Sequence, residues 1–219
     1  MKILYVMAAV ALMIKILLLP NEMAQGEESF VEMIVKDTGI PNAVSGIIFA
    51  NRLYDTIFEV IVFTIAIVGV KHLLANEKPT LVVHQFTDKP SITLARLGAT
   101  IVALVTIELS IRGHLSPGGG FAAGVAGGTA IGLIAITSSS QWMEKIYKRW
   151  QAETVEKLSV LAFIILAIVN LMGLELPRGE FGSLLSGGMI PLLNIIVALK
   201  VALGSWAAIL LFIRYRGLL

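Results

Sequence analysis

Carboxylates and cations set inside apolar stretches are the residues of this sequence with the means to do chemistry. An ionised side chain at the centre of a bilayer costs at least ~2.5–3.5 kcal/mol on insertion scales, and such residues usually face a bundle interior. In the run NRLYDTIFEVIVF, Asp55 and Glu59 stand one helical turn apart, with Arg52 a turn before Asp55. Three- and four-residue spacing places all three on one helix face. Two carboxylates at low dielectric repel, which raises the pKa of at least one and lets it exchange protons near neutral pH. The competing reading is a structural ion pair at a helix end. Glu108 and His114 bracket the end of the third apolar segment. His114 titrates in the physiological range unless shifted, and serves either as a proton relay or as the hydrogen-bond partner of a broken backbone. Lys200 stands near the middle of the last apolar segment, too deep to snorkel to water. A buried lysine can load and release a proton; the alternative is a structural pair with a carboxylate of another helix or subunit. Lys15, nearer a segment end, has snorkelling as its default explanation.

Between the third and fourth apolar segments runs RGHLSPGGGFAAGVAGGTAIG, Arg112 to Gly132. Pro117, Gly118 and Gly119 cannot continue a helix arriving from before, since proline lacks the donor and glycine is the next poorest helix former. From Gly120 the glycines fall into step: Gly120, Gly124, Gly128 and Gly132 share one face of a helix. A side-chain-free stripe in an apolar helix lets a neighbouring backbone approach closely. The stretch is not a phosphate loop, for it lacks GxxxxGK[ST] and no strand precedes it.

The elements that must position these residues are membrane helices. The sequence is 57% hydrophobic and 15% charged, with a mean hydropathy of +0.86, whereas soluble domains carry about 25% charged residues. Apolar runs expected to span are residues 3–19, 51–74, 92–111, 121–137, 158–174 and 189–213, about six in all and each long enough for a ~30 Å hydrocarbon core. Residues 21–39 form an acidic connector in which Phe30, Met33 and Ile34 suggest a short interfacial helix; residues 141–150 suggest another. Pro41 to Asn51 reads as a bent lead-in. Lys2, Lys71, Lys78, Lys89, Lys145, Lys148, Arg149, Lys157, Arg214 and Arg216 fall on one side of these spans, against Lys36, Arg52, Arg112 and Arg178 on the other. By the positive-inside rule both termini are cytoplasmic. Scattered basic residues argue against nucleic acid. The chain has no cysteine, which removes disulfides and thiolate metal sites within it. His72, His84 and His114 are far apart, so no metal site is expected. The first apolar run has no small-residue cleavage motif and reads as a retained helix. Internal repeats of the kind that build a self-sufficient carrier are missing.

At RGHLSPGGGFAAG the sequence resembles the B-type subunit of the Mrp-type multisubunit Na+/H+ antiporters, whose related modules occur in membrane-bound hydrogenases and sulfane-sulfur reductases. Gly113 to Phe121, GHLSPGGGF, is the specific part of the likeness. Residues 41–75, with Tyr54, Asp55, Thr56 and Glu59, resemble the carboxy-terminal portion of the large antiporter subunit, where the YDTxxE carboxylates are implicated in ion transfer. The resemblance implies an all-α, polytopic protein: residues 1–78 a two-helix segment, 79–90 a linker and 91–219 a four-helix domain. It implies an accessory subunit in a prokaryotic cell membrane, not an enzyme alone. Its partners would be other Mrp-type antiporter subunits, or the redox subunits of a hydrogenase-like or sulfane reductase-like complex. No cofactor is expected in this chain, and Na+ and H+ would be the transported ions. Asp55, Glu59, Glu108, His114 and Lys200 are then the candidate way-stations. Pro117, Gly118, Gly119, Gly120, Phe121, Gly124 and Gly128 form the structural motif, its glycine seam packing against partner subunits. The large subunit's main proton-channel helices are absent, so the chain would not transport alone. The rival reading is a spacer that seals the interface between an antiporter module and its neighbours.

Overall fold

The computed structural model describes residues 29–80, 83 and 85–217, together with positions 7, 10, 11, 13, 14, 17 and 18. Most of the first apolar segment, Lys15 included, lies outside the described residues, as does His84. The chain divides into two units, residues 1–33 and 34–219. In the first, positions 7, 10, 11, 13, 14 and 17 are helical. Near its end Ser29 and Glu32 cap a helix reciprocally: the Ser29 amide donates to Glu32 Oε2 (3.1 Å) and the Glu32 amide to Ser29 Oγ (3.2 Å).

That helix is α1 (Phe30–Thr38), and the described residues continue as α2 (Ala43–Gly46), a π-helical turn (Ile47–Asn51), α3 (Leu53–Leu74), α4 (Lys89–Arg112), α5 (Gly119–Ala135), α6 (Ser140–Arg149), α7 (Ala152–Leu171) and α8 (Ile190–Arg216). Helix starts follow local chemistry. Asn42 caps α2, Asp88 caps α4 with Pro90 in the first turn, and Ser139 caps α6. Four helices, α3, α4, α7 and α8, are long and apolar enough to cross a membrane; α5, with 17 residues, is a shorter apolar helix. The protein is an all-α, multi-pass membrane protein.

The fifth expected span starts earlier than the sequence pattern indicates, at Ala152 rather than Leu158. Charge misleads here. Glu153 and Lys157 pair one turn apart at 2.9 Å, and Glu156 turns inward and is buried, so these residues belong to the helix itself. The bent lead-in of residues 41–51 is α2 followed by the π-helical turn.

The bundle is centred on α8, against which α5, α7 and α3 all pack. Helix α5 runs parallel to α8: Gly120 meets Asn194, Gly124 meets Val201, Gly128 meets Ser205 and Gly132 meets Ile209. Helix α7 runs antiparallel, with Phe163 near Leu193 in one apolar cluster and Ala152 near Trp206 in another. The start of α3, the α4–α5 turn and the start of α8 therefore lie at one end of the bundle. At the other lie α6, the start of α7 and the ends of α3, α5 and α8.

Candidate functional site

The five charged or titratable candidates fall into two places. Asp55, Glu59, Glu108 and His114 belong to the turn end of the bundle; Lys200 lies deeper, toward the α6 end.

At the turn end only His114 is buried, at 0% exposure. Glu59 and Glu108 are exposed and Asp55 is half-buried. Asp55 accepts a hydrogen bond from Arg52 Nε at 2.6 Å. Glu108 pairs with Arg112 at 3.0 Å on the outer face of α4, so it turns away from His114. The expectation that Asp55 and Glu59 share a low-dielectric interior is not met within this chain, whose surface they line.

The broken backbone at the turn is not satisfied by the His114 ring. Asn42 Nδ2 donates to the carbonyls of Gly113 (2.7 Å) and Ser116 (2.8 Å), and Ser45 Oγ donates to Gly113 O (2.7 Å). The Asn42 amide in turn donates to His114 O (3.2 Å). Both ring nitrogens of His114 are buried without a hydrogen-bond partner. Burial holds its pKa below the usual 6.5, against a smaller opposing influence from the nearby backbone of Ser183 and Leu184. Gly118 and Gly119 take positive φ, 134° and 76°, a region that favours glycine and that the reversal into α5 requires.

The glycine seam packs inside the chain, not against a partner. A Cβ added at Gly120 would fall on the Asn194 carbonyl oxygen, one at Gly124 on the Val201 side chain, and one at Gly128 within 2.6 Å of Ser205 Cβ. Asn194, fully buried on α8, accepts a hydrogen bond from the Gly120 amide at 2.6 Å. This satisfies one of the free amides at the start of α5.

Lys200 is 1% exposed and faces Glu156 of α7, Nζ to Oε1 3.5 Å. The pairing partner is thus within this chain. Neither atom completes a hydrogen bond at that separation. The ammonium also lies 4.0 Å from the centre of the Phe63 ring on α3, a cation–π contact. Phe63 fits because of Gly204, where a Cβ would come within 2.5 Å of Phe63 Cε1. Sequence reasoning missed Glu156, Asn194, Asn42 and Ser45. A signal for Glu156 exists: it shares a face with Ala152, Ser159, Phe163 and Ala167, all buried. Among the described residues no His, Asp and Glu cluster is arranged to hold a metal ion.

Residues 90–207 match the family model described as a domain related to the MnhB subunit of Na+/H+ antiporters. The chain belongs to this MnhB-related family. A relative, an uncharacterized protein of Methanocaldococcus jannaschii, is 30% identical over 78% of this chain and 77% of its own length. The fold is similar to that of a chain in the membrane-bound sulfane sulfur reductase, an archaeal respiratory membrane complex, with a TM-score of 0.69, 24% identity and coverage of 94% of this chain and 96% of that one. It is also similar to part of a chain in the Mrp complex of Dietzia sp. DQ12-45-1b, with a TM-score of 0.67 and 19% identity. There the match covers 98% of this MnhB-family chain but spans about a quarter of the other, 26%.

Proposed function

We propose that this MnhB-family chain is an accessory membrane subunit of an Mrp-type cation/proton-translocating complex, contributing both to ion transfer and to the packing of the antiporter module. The observation that carries the ion-transfer part is the Lys200–Glu156 pair, two ionisable groups held between α7 and α8 where lipid does not reach. Such groups are rare inside membranes and mark ion and proton pathways. Half-buried Asp55 and exposed Glu59 bear on both parts: carboxylates on the outer face of a membrane helix require cover, which a neighbouring subunit supplies, and at that interface they are further way-stations on the ion path. Na+ and H+ are the ions of this reading, since Na+ prefers oxygen ligands. The partners are other antiporter subunits. Residues 1–78 act as a two-helix segment and 91–219 as a four-helix domain, joined through 79–90. The α6 end carries the excess of lysine and arginine and faces the cytoplasm of the cell that holds the complex in its membrane.

A second reading, a spacer in a redox-driven complex with no ion-carrying role, draws on the end-to-end likeness to the sulfane sulfur reductase chain. Mass spectrometry of what co-purifies from gently solubilised membranes separates the settings. Antiporter subunits alone support the first and added iron–sulfur subunits the second, while a homo-oligomer without partners overturns both. The ion-transfer role is tested in membrane vesicles carrying Glu59→Gln. Loss of Na+-coupled proton movement with an intact complex is expected, and unimpaired transport would remove Glu59 from the path.

A further inference from the structure

Two apolar grooves flank the last turns of α5. The larger, about 590 Å³, runs between α5 and α8 and is lined by Val125, Gly128 and Gly132 on one side and by Ile209 and Phe212 on the other. The smaller, about 410 Å³, lies on the α4 side of α5, against Leu94, Gly98 and Ile101. Leu133 and Ile136 line both grooves, which therefore open on either side of one outer ridge of α5. Both volumes fall in the ordinary range for bound small molecules, ~300–1,000 Å³.

The larger groove exists because the α5–α8 seam is closed at one end and open at the other. A Cβ at Gly120, Gly124 or Gly128 would come within 2.4, 2.4 and 2.6 Å of α8, whereas one at Gly132 would meet only Ile209 Cδ1 at 3.7 Å. The opening is thus confined to the α6 half of the bundle. From Val125 to Ile136 the helix rises about 16 Å, half of a ~30 Å hydrocarbon core and so the depth of one leaflet. A transmembrane helix of a neighbouring subunit needs a seat through the full thickness, but a lipid tail ends at the midplane. Of the two hydroxyls in the lining, Thr129 and Ser205, that of Thr129 is already donated to Val125 O at 2.9 Å.

The lining carries no charge; the mouth does. Arg216 follows Ile209, Phe212 and Ile213 by seven, four and three residues, which places it on the groove face of α8 one turn further on. Helical side chains lean toward the N-terminus of their helix, here back over the groove. Arg216 Nη2 lies 2.8 Å from Glu77 Oε1 with 63% of the side chain still exposed, and a guanidinium has five donors to share. Lys78, next to Glu77, is exposed. The chain there is held against the end of α8 by the Thr80 amide, which donates to Arg214 O at 2.9 Å. Arg216 and Lys78 against Glu77 leave the mouth positive, and basic sites between membrane helices at the bilayer surface hold anionic lipid headgroups.

We propose that the end of α5 is a binding site for an anionic phospholipid of the surrounding leaflet. One acyl chain lies in the α5–α8 groove and the other in the α4–α5 groove, and the phosphate meets Arg216 and Lys78. The lipid fills the volume that the short, small-residue α5 leaves beside its longer neighbours. The site holds whether or not ions pass through this chain.

The test places photoreactive benzoyl-phenylalanine at Phe212, a half-exposed wall of the larger groove. The protein, with the subunits that co-purify, is reconstituted in vesicles of equal parts phosphatidylcholine and phosphatidylglycerol and irradiated, and the adducts are identified by mass. Phosphatidylglycerol should dominate the adducts several-fold over phosphatidylcholine. Arg216→Gln combined with Lys78→Gln, both at exposed positions, should bring the two lipids back to equal shares. Equal shares in the unaltered background mean that ordinary bulk lipid fills the groove, and overturn the proposal. An adduct to a peptide of another subunit means that a protein covers the groove, and overturns it as well. A preference for phosphatidylglycerol that survives the double substitution removes Arg216 and Lys78 as the headgroup site and overturns the assignment.

Discussion

The side-chain oxygen of Asn194 lies 2.6 Å from the amide of Gly120, at a point where the backbones of α5 and α8 touch. One hydrogen bond thus fixes the register of two parallel helices and caps the start of α5 just after the glycine turn. Close approach and capping depend on each other, because any side chain at position 120 would push Asn194 away from the amide that it serves.

Gly120→Ala should therefore destabilise the protein by about 1–3 kcal/mol, the usual range for forcing atoms into a packed interface. Gly132→Ala, at the other end of the same stripe, should be tolerated, because its new methyl would meet only Ile209 Cδ1 at 3.7 Å. Asn194→Ala leaves the buried Gly120 amide unpaired, which costs about 1–3 kcal/mol. Thermal unfolding in detergent, followed by the fluorescence of buried Trp206, checks all three. Equal effects of Gly120→Ala and Gly132→Ala would show that the seam is not what sets the α5–α8 distance.

Burial lowers the pKa of His114 below 6.5, and the sign of its linkage follows. The folded protein holds the ring neutral, while an unfolded chain accepts a proton near pH 6.5. The stability that His114 contributes is complete above that value and is lost as pH falls from there through the folded pKa. His114→Phe keeps an aromatic ring in the site and removes the titration. Midpoint temperatures recorded between neutral and mildly acidic pH should fall more steeply for the unaltered protein than for His114→Phe. Parallel curves would mean that the ring is solvated or paired in the membrane-embedded protein.

Much of this architecture could be read in the sequence, and the failures have specific causes. The stripe of Gly120, Gly124 and Gly128 gave its helix face correctly, because four-residue spacing fixes a face whatever the partner. Which helix would fill that face was invisible: Asn194, Ala198, Val201 and Ser205 look like ordinary members of an apolar span. Glu156 was hidden by its neighbours. Glu153 and Lys157 do lie at the surface, and a charged run at a helix start reads as a connector unless its buried stripe is traced residue by residue. Asp55, Glu59 and Glu108 show the converse error. Their helical positions were right, but their inward orientation was inferred from cost alone, and a component of a larger assembly can meet that cost at its outer surface.

Tyr147 sits against Trp206, and burial, with Glu153 and Glu156 nearby, pushes its hydroxyl up to about 12 from the ordinary 10.0. For an acid whose folded pKa is raised, the stabilising contribution is present below the unfolded value and disappears as pH rises through the folded one. An alkaline titration followed by tyrosinate absorbance should show a late-ionising tyrosine among the four of this chain. Tyr147→Phe should remove that late phase alone. If every tyrosine ionises near pH 10, water reaches the hydroxyl freely and the contact with Trp206 does not persist.

The Lys200–Glu156 pair yields a stability prediction separate from any transport role. Removing one partner of a buried pair leaves an uncompensated charge, typically at a cost of about 3–5 kcal/mol, whereas replacing both by apolar groups of similar size is often neutral. Lys200→Met alone should lower the unfolding midpoint markedly, and Glu156→Leu alone should do the same. The double variant should recover most of the loss, so the double-mutant cycle shows strong coupling across the 3.5 Å gap. The Phe63 contact gives an internal control, since Phe63→Leu removes the ring above the ammonium without touching the carboxylate and should cost less than either charge deletion. Additive single effects would mean that Lys200 and Glu156 are each neutralised by something other than one another, and would move the search for their partners to the neighbouring subunits.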